Sequence, residues 1–129
     1  MPITAETRKQ ILDKLKQGLV KCTPPMVVKS DSAEGCELIG NKPVPYGHDK
    51  KIIPGMYFAS IAQRKDSVAF YFFPSYLDTG LKEVAPNLYK CLKGKSCFHF
   101  KKPEQIVEKE LTALLKNGVK AWKKMGYLK

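Results

Sequence analysis

No stretch of this sequence approaches the roughly 20 consecutive apolar residues that a membrane-spanning helix requires. The first residues, Met1-Pro2-Ile3-Thr4, lead directly into a charged segment, where a signal peptide would place its apolar core. We therefore expect a protein that has no membrane partner and that stays in the cytoplasm.

The cysteines follow no recognisable pattern. The four cysteines, Cys22, Cys36, Cys91 and Cys97, form no CxxC pair and no dense framework of the secreted kind. In a cytoplasmic protein such cysteines are normally reduced. We predict free thiols.

Acidic residues are also few. Twelve aspartates and glutamates stand against 23 lysines and arginines, which gives a net charge of +11. Residues 90–129 hold 11 lysines and three glutamates, so this segment carries +8 of the total. A field of this sign attracts nucleic acid, anionic lipid or acidic proteins.

With 43% hydrophobic residues the chain is too apolar for a disordered protein, and we predict a single domain over residues 1–129.

Helical periodicity is strongest at the two ends of the chain. A first helix is predicted from Thr4 to about Lys21, and a final helix begins at Pro103 and ends near Gly126. The apolar face of the final helix comprises Val107, Leu111, Leu114, Leu115, Gly118, Trp122 and Met125. Its opposite face carries Lys109, Lys116, Lys120 and Lys123, either as a solvated surface or as a basic binding surface.

Two strands with a short polar spacer predict a β-hairpin, Met56 to Gln63 and Ser67 to Phe73. Strict alternation places Met56, Phe58, Val68, Phe70 and Phe72 on one face. It places Tyr57, Ala59, Ile61, Ala69, Tyr71 and Phe73 on the other. Both faces would be apolar, so the second face needs cover from a chain segment, a partner subunit or a ligand.

The remaining segments are shorter. Residues 26–53 are predicted to form short strands joined by turns, and residues 81–92 a short helix broken near Pro86. A further strand is predicted from Ser96 to Phe100. The whole therefore reads as an α+β domain.

Two motifs resemble known kinds of binding site. Gly94-Lys95-Ser96 is not a phosphate-binding loop, because position 89 is Tyr89 where that motif needs glycine, and because a strand follows it. Cys97 and His99 alternate on one strand and would share a face, so they could chelate a metal if Cys91 or His48 joined them. Buried thiols and a surface imidazole explain the same residues equally well.

No catalytic constellation is evident. A nucleophilic site needs cysteine or serine beside histidine with an orienting acid, and no carboxylate occurs between Lys90 and Lys102. We therefore expect a protein that is not an enzyme.

Several segments together resemble the YdhG-like family of bacterial domains of unknown function. They are Met56-Tyr57-Phe58, Ala69-Phe70-Tyr71, Lys93-Gly94-Lys95-Ser96-Cys97-Phe98-His99-Phe100 and Trp122-Lys123-Lys124-Met125-Gly126-Tyr127. The resemblance covers about the last 75 residues well and the first helix loosely. It implies a frataxin-like α+β sandwich, with the amino- and carboxy-terminal helices packed on one antiparallel sheet.

The resemblance also implies a conceivable role as a frataxin-like iron chaperone. The sequence departs from that role in the first helix, where a frataxin-type surface is acidic. This helix has only Glu6 and Asp13, against five basic residues: Arg8, Lys9, Lys14, Lys16 and Lys21. Such a field repels a cation, so we expect no cofactor and disfavour iron.

The leading hypothesis is a non-enzymatic binding domain for an anionic ligand or an acidic partner protein. The ligand would be held by the second sheet face, with Tyr57, Tyr71, Phe73 and Lys95, or by the lysine surface of the final helix. The alternatives are an iron carrier and a nucleic-acid binder in which lysines contact phosphates and aromatic rings stack on bases. The second sheet face could also join two copies of the chain.

Overall fold

The computed structural model describes residues 3–23, 26–32, 35–77, 79–94 and 97–128. The protein is an α+β domain, as predicted. Its elements are α1 (Ala5–Val20), β1 (Val27–Ser32), β2 (Gly35–Ile39), β3 (Val44–Tyr46), β4 (Lys51–Ile53), β5 (Tyr57–Gln63), β6 (Val68–Phe72), α2 (Pro74–Leu77), a 3₁₀ helix (Thr79–Val84), α3 (Pro86–Tyr89), β7 (Leu92–Lys93), β8 (Cys97–Phe100), a 3₁₀ turn (Pro103–Gln105) and α4 (Glu108–Lys124).

Six strands form one antiparallel sheet in the order β1-β2-β5-β6-β8-β7, while β3 and β4 pair separately. The predicted hairpin is confirmed, since β5 and β6 are neighbours and Ile61 lies opposite Phe70. Strand β1 is exposed along its whole length at one edge of the sheet. Lys29 is an extra residue in that strand, because Val28 pairs with Leu38 and Ser30 with Glu37.

The α-helices in the described ranges, α1 to α4, lie on one side of the sheet. Helix α4 contacts α1, α2 and α3, and α1 contacts β2 and β6. Glu110 of α4 holds α3 in place, because its carboxylate accepts hydrogen bonds from the backbone N–H groups of Asn87 and Leu88. None of the helices in these ranges is long and apolar enough to cross a bilayer.

The predicted assignment of side chains to the two sheet faces is wrong at two positions. Ile39 pairs with Tyr57 and Leu38 with Ala59, so Phe58 is an extra residue in β5. This bulge shifts the alternation by one residue. Ala59 and Ile61 therefore lie on the helix-covered face and are buried. The second face receives Ser60 in their place, so it is not the apolar surface that strict alternation predicts.

Helix α1 follows its prediction closely. The Thr4 hydroxyl caps it by accepting a hydrogen bond from the Thr7 N–H at 3.1 Å. The predicted apolar stripe of Ile11, Leu12, Leu15 and Leu19 is fully buried. One face of the helix is therefore fixed by hydrophobic burial.

Helix α4 begins later than predicted. Pro103 starts a separate 3₁₀ turn, and Val107 is extended, so the α-helix begins at Glu108. Met125 is also misplaced by the prediction: it caps the end of the helix and is exposed. Gly126 adopts a φ of +84°, which is the left-handed geometry expected of a helix-terminating glycine.

The cysteines are free thiols, as predicted, and Cys22 is the most buried of them. It follows α1 and has 7% of its surface exposed. Burial raises the pKa of its thiol from 9.0 to about 11, because a thiolate is poorly solvated in apolar surroundings.

Replacing Cys22 with alanine is expected to make the free energy of unfolding fall less as the pH becomes alkaline. The thiol ionises in the unfolded chain before it ionises in the folded protein, so its contribution is complete below pH 9 and is lost as the pH rises to about 11. Urea unfolding at about pH 8 and about pH 10.5 measures this loss. The wild-type protein should lose more stability between the two pH values than the variant, and an equal loss would contradict the assignment.

Candidate binding site on the open sheet face

The sheet face opposite the helices carries a compact group of polar and aromatic side chains. We call it the open face and define it by Tyr57, Ser60, Ala62, Ala69, Tyr71, Cys97 and His99, together with Arg64 and Ser67 at the β5–β6 turn. The strand register supports this grouping, since Ser60 lies opposite Tyr71, Tyr71 opposite Cys97, and Ala69 opposite His99. Antiparallel partners of this kind place their side chains on the same face.

Arg64 and Tyr71 form the centre of the open face. Arg64 Nη2 donates a hydrogen bond to the Tyr71 hydroxyl. The guanidinium carbon also lies 5.7 Å from the centroid of the Tyr71 ring, within the range of a cation–π interaction. Arg64 is exposed, and a guanidinium has five N–H donors, so it has the capacity to donate further hydrogen bonds.

Arg8 of helix α1 supports the turn that presents Arg64. Its guanidinium donates hydrogen bonds to the backbone carbonyls of Arg64 and, at 3.1 Å, of Lys65. A hydrogen bond between a charged donor and a carbonyl is stronger than a neutral one. The first helix therefore helps to fix the position of the open-face arginine.

Cys97, His99 and Ser67 form a continuous polar chain. The Cys97 sulfur lies 3.2 Å from His99 Nε2, and the Ser67 hydroxyl lies 3.2 Å from His99 Nδ1. The prediction that Cys97 and His99 share a face of one strand is therefore correct. Ser67 is the third member, and it comes from the far end of the hairpin turn.

The environment favours the neutral forms of both groups. Burial raises the pKa of the Cys97 thiol, although the hydrogen bond with Tyr71 and the charge of Arg64 oppose the change. Burial lowers the pKa of His99, and the charges of Arg64, Lys93 and Lys101 lower it further. A neutral thiol beside a neutral imidazole is a satisfied polar pair, whereas an activated nucleophile requires a thiolate.

The hydroxyl of Tyr57 completes the polar surface. It shares a hydrogen bond with the Ser60 hydroxyl. Burial raises the pKa of Tyr57 to about 12, which outweighs the opposing effect of that hydrogen bond. The phenol therefore keeps its proton at neutral pH and remains a hydrogen-bond donor.

A depression of about 400 Å³ lies beside this group, over β1, β2 and β5. Its floor is made of small residues, including Gly35, Ser60 and Ala62. A side chain at Gly35 would place its Cβ 1.9 Å from the Ile61 carbonyl oxygen, so the close approach of β2 and β5 requires glycine there. Among the described residues of the lining, the only carboxylate is that of Glu37, which pairs with Lys29 at 3.5 Å.

The predicted ligand-binding residues separate into three groups. Tyr57 and Tyr71 lie on the open face, as predicted. Phe73 lies beyond the end of β6, where its ring contacts Tyr57 but also packs edge-on against the buried Trp122. Lys95 lies outside the described residues.

The predicted basic surface consists of four lysines of α4. Lys109, Lys116, Lys120 and Lys123 are all exposed along α4. They lie on the helix side of the sheet and are remote from the open face. Their exposure fits the solvated helix face that the sequence predicted as one of two alternatives.

Cys97 and His99 have no third metal ligand beside them among the described residues. Within the ranges that the structure describes, no group of three or more His, Cys, Asp and Glu residues is placed to hold a metal ion. Neither Cys91 nor His48 joins the pair, although the Cys91 carbonyl accepts a hydrogen bond from the His99 N–H. Two ligands fall short of the four that a structural zinc site uses.

Sequence reasoning missed Arg64, Ser60 and Ser67. Arg64 and Ser67 flank the turn, and the sequence pattern predicts only a spacer residue and the start of a strand there. Strict alternation along β5 predicts the wrong face for Ser60. A basic residue directly after a strand that carries tyrosine was the available signal for Arg64.

Comparison of the chain with protein-family models, with curated proteins and with solved structures found no match.

Proposed function

We propose that this protein is a non-enzymatic binding domain whose open face holds a small anionic ligand. The observation that carries the proposal is Arg64, which covers Tyr71 and lies close enough to His99 to lower the pKa of that imidazole. Lys93 and Lys101 act on His99 in the same direction. The part of the open face around His99 therefore has a positive potential, and the neutral Tyr57 hydroxyl is a hydrogen-bond donor nearby, which is a combination that suits an anion.

The binding mode follows from the hydrogen-bonding capacity of these side chains. The fork of guanidinium donors on Arg64 suits a carboxylate or a phosphate group. The Tyr57 hydroxyl can donate to the same group, since burial raises the pKa of this phenol to about 12 and it keeps its proton at neutral pH. The body of the ligand then lies in the depression over β1, β2 and β5.

We further propose that the domain belongs to the YdhG-like family and has its frataxin-like sandwich. This proposal is supported by the order of the elements, with α1 and α4 on one side of an antiparallel sheet. It is also supported by the segments that resemble the family in β5, β6, β8 and the end of α4.

The other two functions have weaker support. Iron transport needs a cluster of carboxylates or imidazoles, and no such group occurs among residues whose placement is described. Nucleic-acid binding by base stacking on the open face needs exposed rings there, whereas Tyr57 and Tyr71 are half-buried and Arg64 covers Tyr71.

Replacing Arg64 with glutamine is expected to weaken the binding of benzoate and phenyl phosphate about tenfold. A charge-assisted hydrogen bond contributes about 1.5–3 kcal/mol, and 1.4 kcal/mol corresponds to a factor of ten in affinity. The measurement is a titration followed by ¹⁵N–¹H NMR, in which the amides of Tyr57, Tyr71 and His99 should shift together.

Lys65→Gln is the matched control, since Lys65 is the exposed neighbour of Arg64 in the same turn and the change removes the same charge. This control should change the affinity by no more than about twofold. Equal losses in the two variants, or no shift of the open-face amides at millimolar ligand, would rule the proposal out.

A further inference from the structure

A second surface feature lies on the helix side of the molecule, remote from the open face. It is a groove of about 440 Å³ between the carboxy-terminal end of α1 and the middle of α4. Its floor is formed by Gly18, Cys22, Leu115 and Val119, and its rim by Lys21, Lys116 and Lys120. We call it the α1–α4 groove.

The groove exists because small residues stand where the two helices meet. A Cβ on Gly18 would lie 2.8 Å from Leu111 Cδ2 and 3.3 Å from Leu115 Cδ1, so the missing side chain lets the helices approach closely. One turn further along, Cys22 is also small. The apolar floor therefore reaches the surface without a large side chain to cover it.

The charge of the rim is uniform. Lys21, Lys116 and Lys120 are exposed, and none of the described residues that line the groove is a carboxylate. None of the three lysines forms an ion pair with another residue that the structure describes. An apolar floor below three unpaired ammonium groups is complementary to a ligand that has an apolar body and an anionic head.

The size of the groove determines which kind of ligand fits. A stable protein–protein interface uses roughly 20–30 residues on each side. Eight of the described residues line the groove, and its volume falls within the range of about 300–1,000 Å³ typical of small-molecule sites. A small molecule therefore fits better than a partner protein.

The length of the groove further restricts the size of the ligand that fits. Along α4 it runs from Thr112 to Lys120, which corresponds to about 12 Å at the helical rise of 1.5 Å per residue. This is close to the extended length of a ten-carbon chain. The lysine side chains can lie along the alkyl chain with their ammonium groups turned to its head, because lysine stems are apolar.

We infer that the α1–α4 groove binds a medium-chain alkyl carboxylate, with the chain on Gly18, Leu115 and Val119 and the carboxylate between the rim lysines. The inference is independent of the proposed function, because the two sites lie on opposite sides of the sheet. It assigns a role to Lys116 and Lys120 that Lys109 and Lys123 do not share.

The first test is a ¹⁵N–¹H NMR titration with decanoate below its micelle concentration. The amides of Gly18, Cys22 and Val119 should shift in a saturable manner. Decanol should bind at least about tenfold more weakly, because it has the same chain without the charge. Acetate should leave these amides unchanged, because it has the charge without the chain.

The second test compares two double variants with the same change in charge. Lys116→Glu with Lys120→Glu should weaken decanoate binding at least about tenfold, since it reverses the charge of the rim. Lys109→Glu with Lys123→Glu is the matched control on the same helix and should weaken it by less than about threefold. All four side chains are exposed, so both variants are expected to fold.

Val119→Trp tests the apolar floor without changing the charge, and it should abolish the decanoate shifts by filling the groove. Three results would overturn the inference. They are equal affinities for decanoate and decanol, equal losses in the two charge variants, and decanoate shifts spread evenly over the groove and the open face. The last result would indicate surfactant adsorption on a basic protein.

Discussion

Replacing Trp122 with alanine is expected to lower the free energy of unfolding by about 3–5 kcal/mol. Trp122 is fully buried, and its ring packs edge-on against Phe58, Phe73 and Tyr127 at centroid distances of 5.7, 5.7 and 5.3 Å. Its indole N–H also donates a 3.5 Å hydrogen bond to the Met56 carbonyl. The variant loses this apolar contact and leaves a cavity between α4 and the sheet.

The effect is large relative to the stability of an average domain, which is about 5–15 kcal/mol. Urea unfolding followed by circular dichroism gives the value, since the variant has lost the only tryptophan and with it the fluorescence signal. Met125→Ala is the control on the same helix and should change the stability by no more than about 0.5 kcal/mol, because Met125 is exposed. A loss below about 1 kcal/mol in the Trp122 variant would mean that α4 does not pack as described.

Replacing Gly118 with leucine is expected to cost at least about 3 kcal/mol, at the upper end of overpacking effects. A Cβ at this position would lie 2.5 Å from Phe72 Cζ and 3.1 Å from Phe58 Cε1. Both rings are fully buried and therefore have little room to move. Leucine gains about 1 kcal/mol of helix propensity over glycine, which is too little to offset the clash.

Gly118→Ala should cost less, about 1–2 kcal/mol, because only one carbon is added. In a Phe72→Leu background Gly118→Ala should cost less than in the wild-type protein, since the leucine lacks the ring atom that the new methyl group meets. Lys109→Leu controls for the added leucine on the exposed face of α4 and should be nearly neutral. If Gly118→Leu proved as stable as this control, the close contact between α4 and β6 would be in doubt.

The parts of the fold that follow from local pattern were predicted well, and those that depend on pairing were not. The stripe of α1 and the β5–β6 hairpin follow from periodicity and turn residues within one segment. The bulge at Phe58 depends on how β5 pairs with β2, a strand about twenty residues earlier. Nothing in the alternation of Met56 to Gln63 marks it, so Ala59 and Ile61 were assigned to the wrong face.

The predicted start of α4 was wrong for a similar reason. Proline commonly occupies a first helical turn, so Pro103 was a reasonable beginning. The Gln105 side chain instead accepts hydrogen bonds from the backbone N–H groups of Lys101 and Lys102, which closes a separate 3₁₀ turn. Ile106 is then buried, and the helix starts afresh at Glu108.

The candidate site was predictable only in part. Alternation along β8 correctly placed Cys97 and His99 on one face of their strand, and alternation along β6 placed Tyr71 on the second face of the hairpin. The pairing of β6 with β8, which brings the three side chains together, was not predicted. The partners that complete the group come from the hairpin turn, where Arg64 and Ser67 are brought back over the sheet by strand pairing. A turn residue shows no periodicity, so its direction cannot be inferred before the register is known.

The two edges of the six-stranded sheet also bear on how copies of this protein meet in a concentrated solution. At one edge the strand has only two residues, Leu92–Lys93, which offers little backbone to a neighbour. At the other edge the bulge at Lys29 interrupts the row of amides and places an ammonium group within it. A short strand at one end and a kinked, charged strand at the other both oppose the addition of a foreign strand, so the sheet is protected against growth into a fibril.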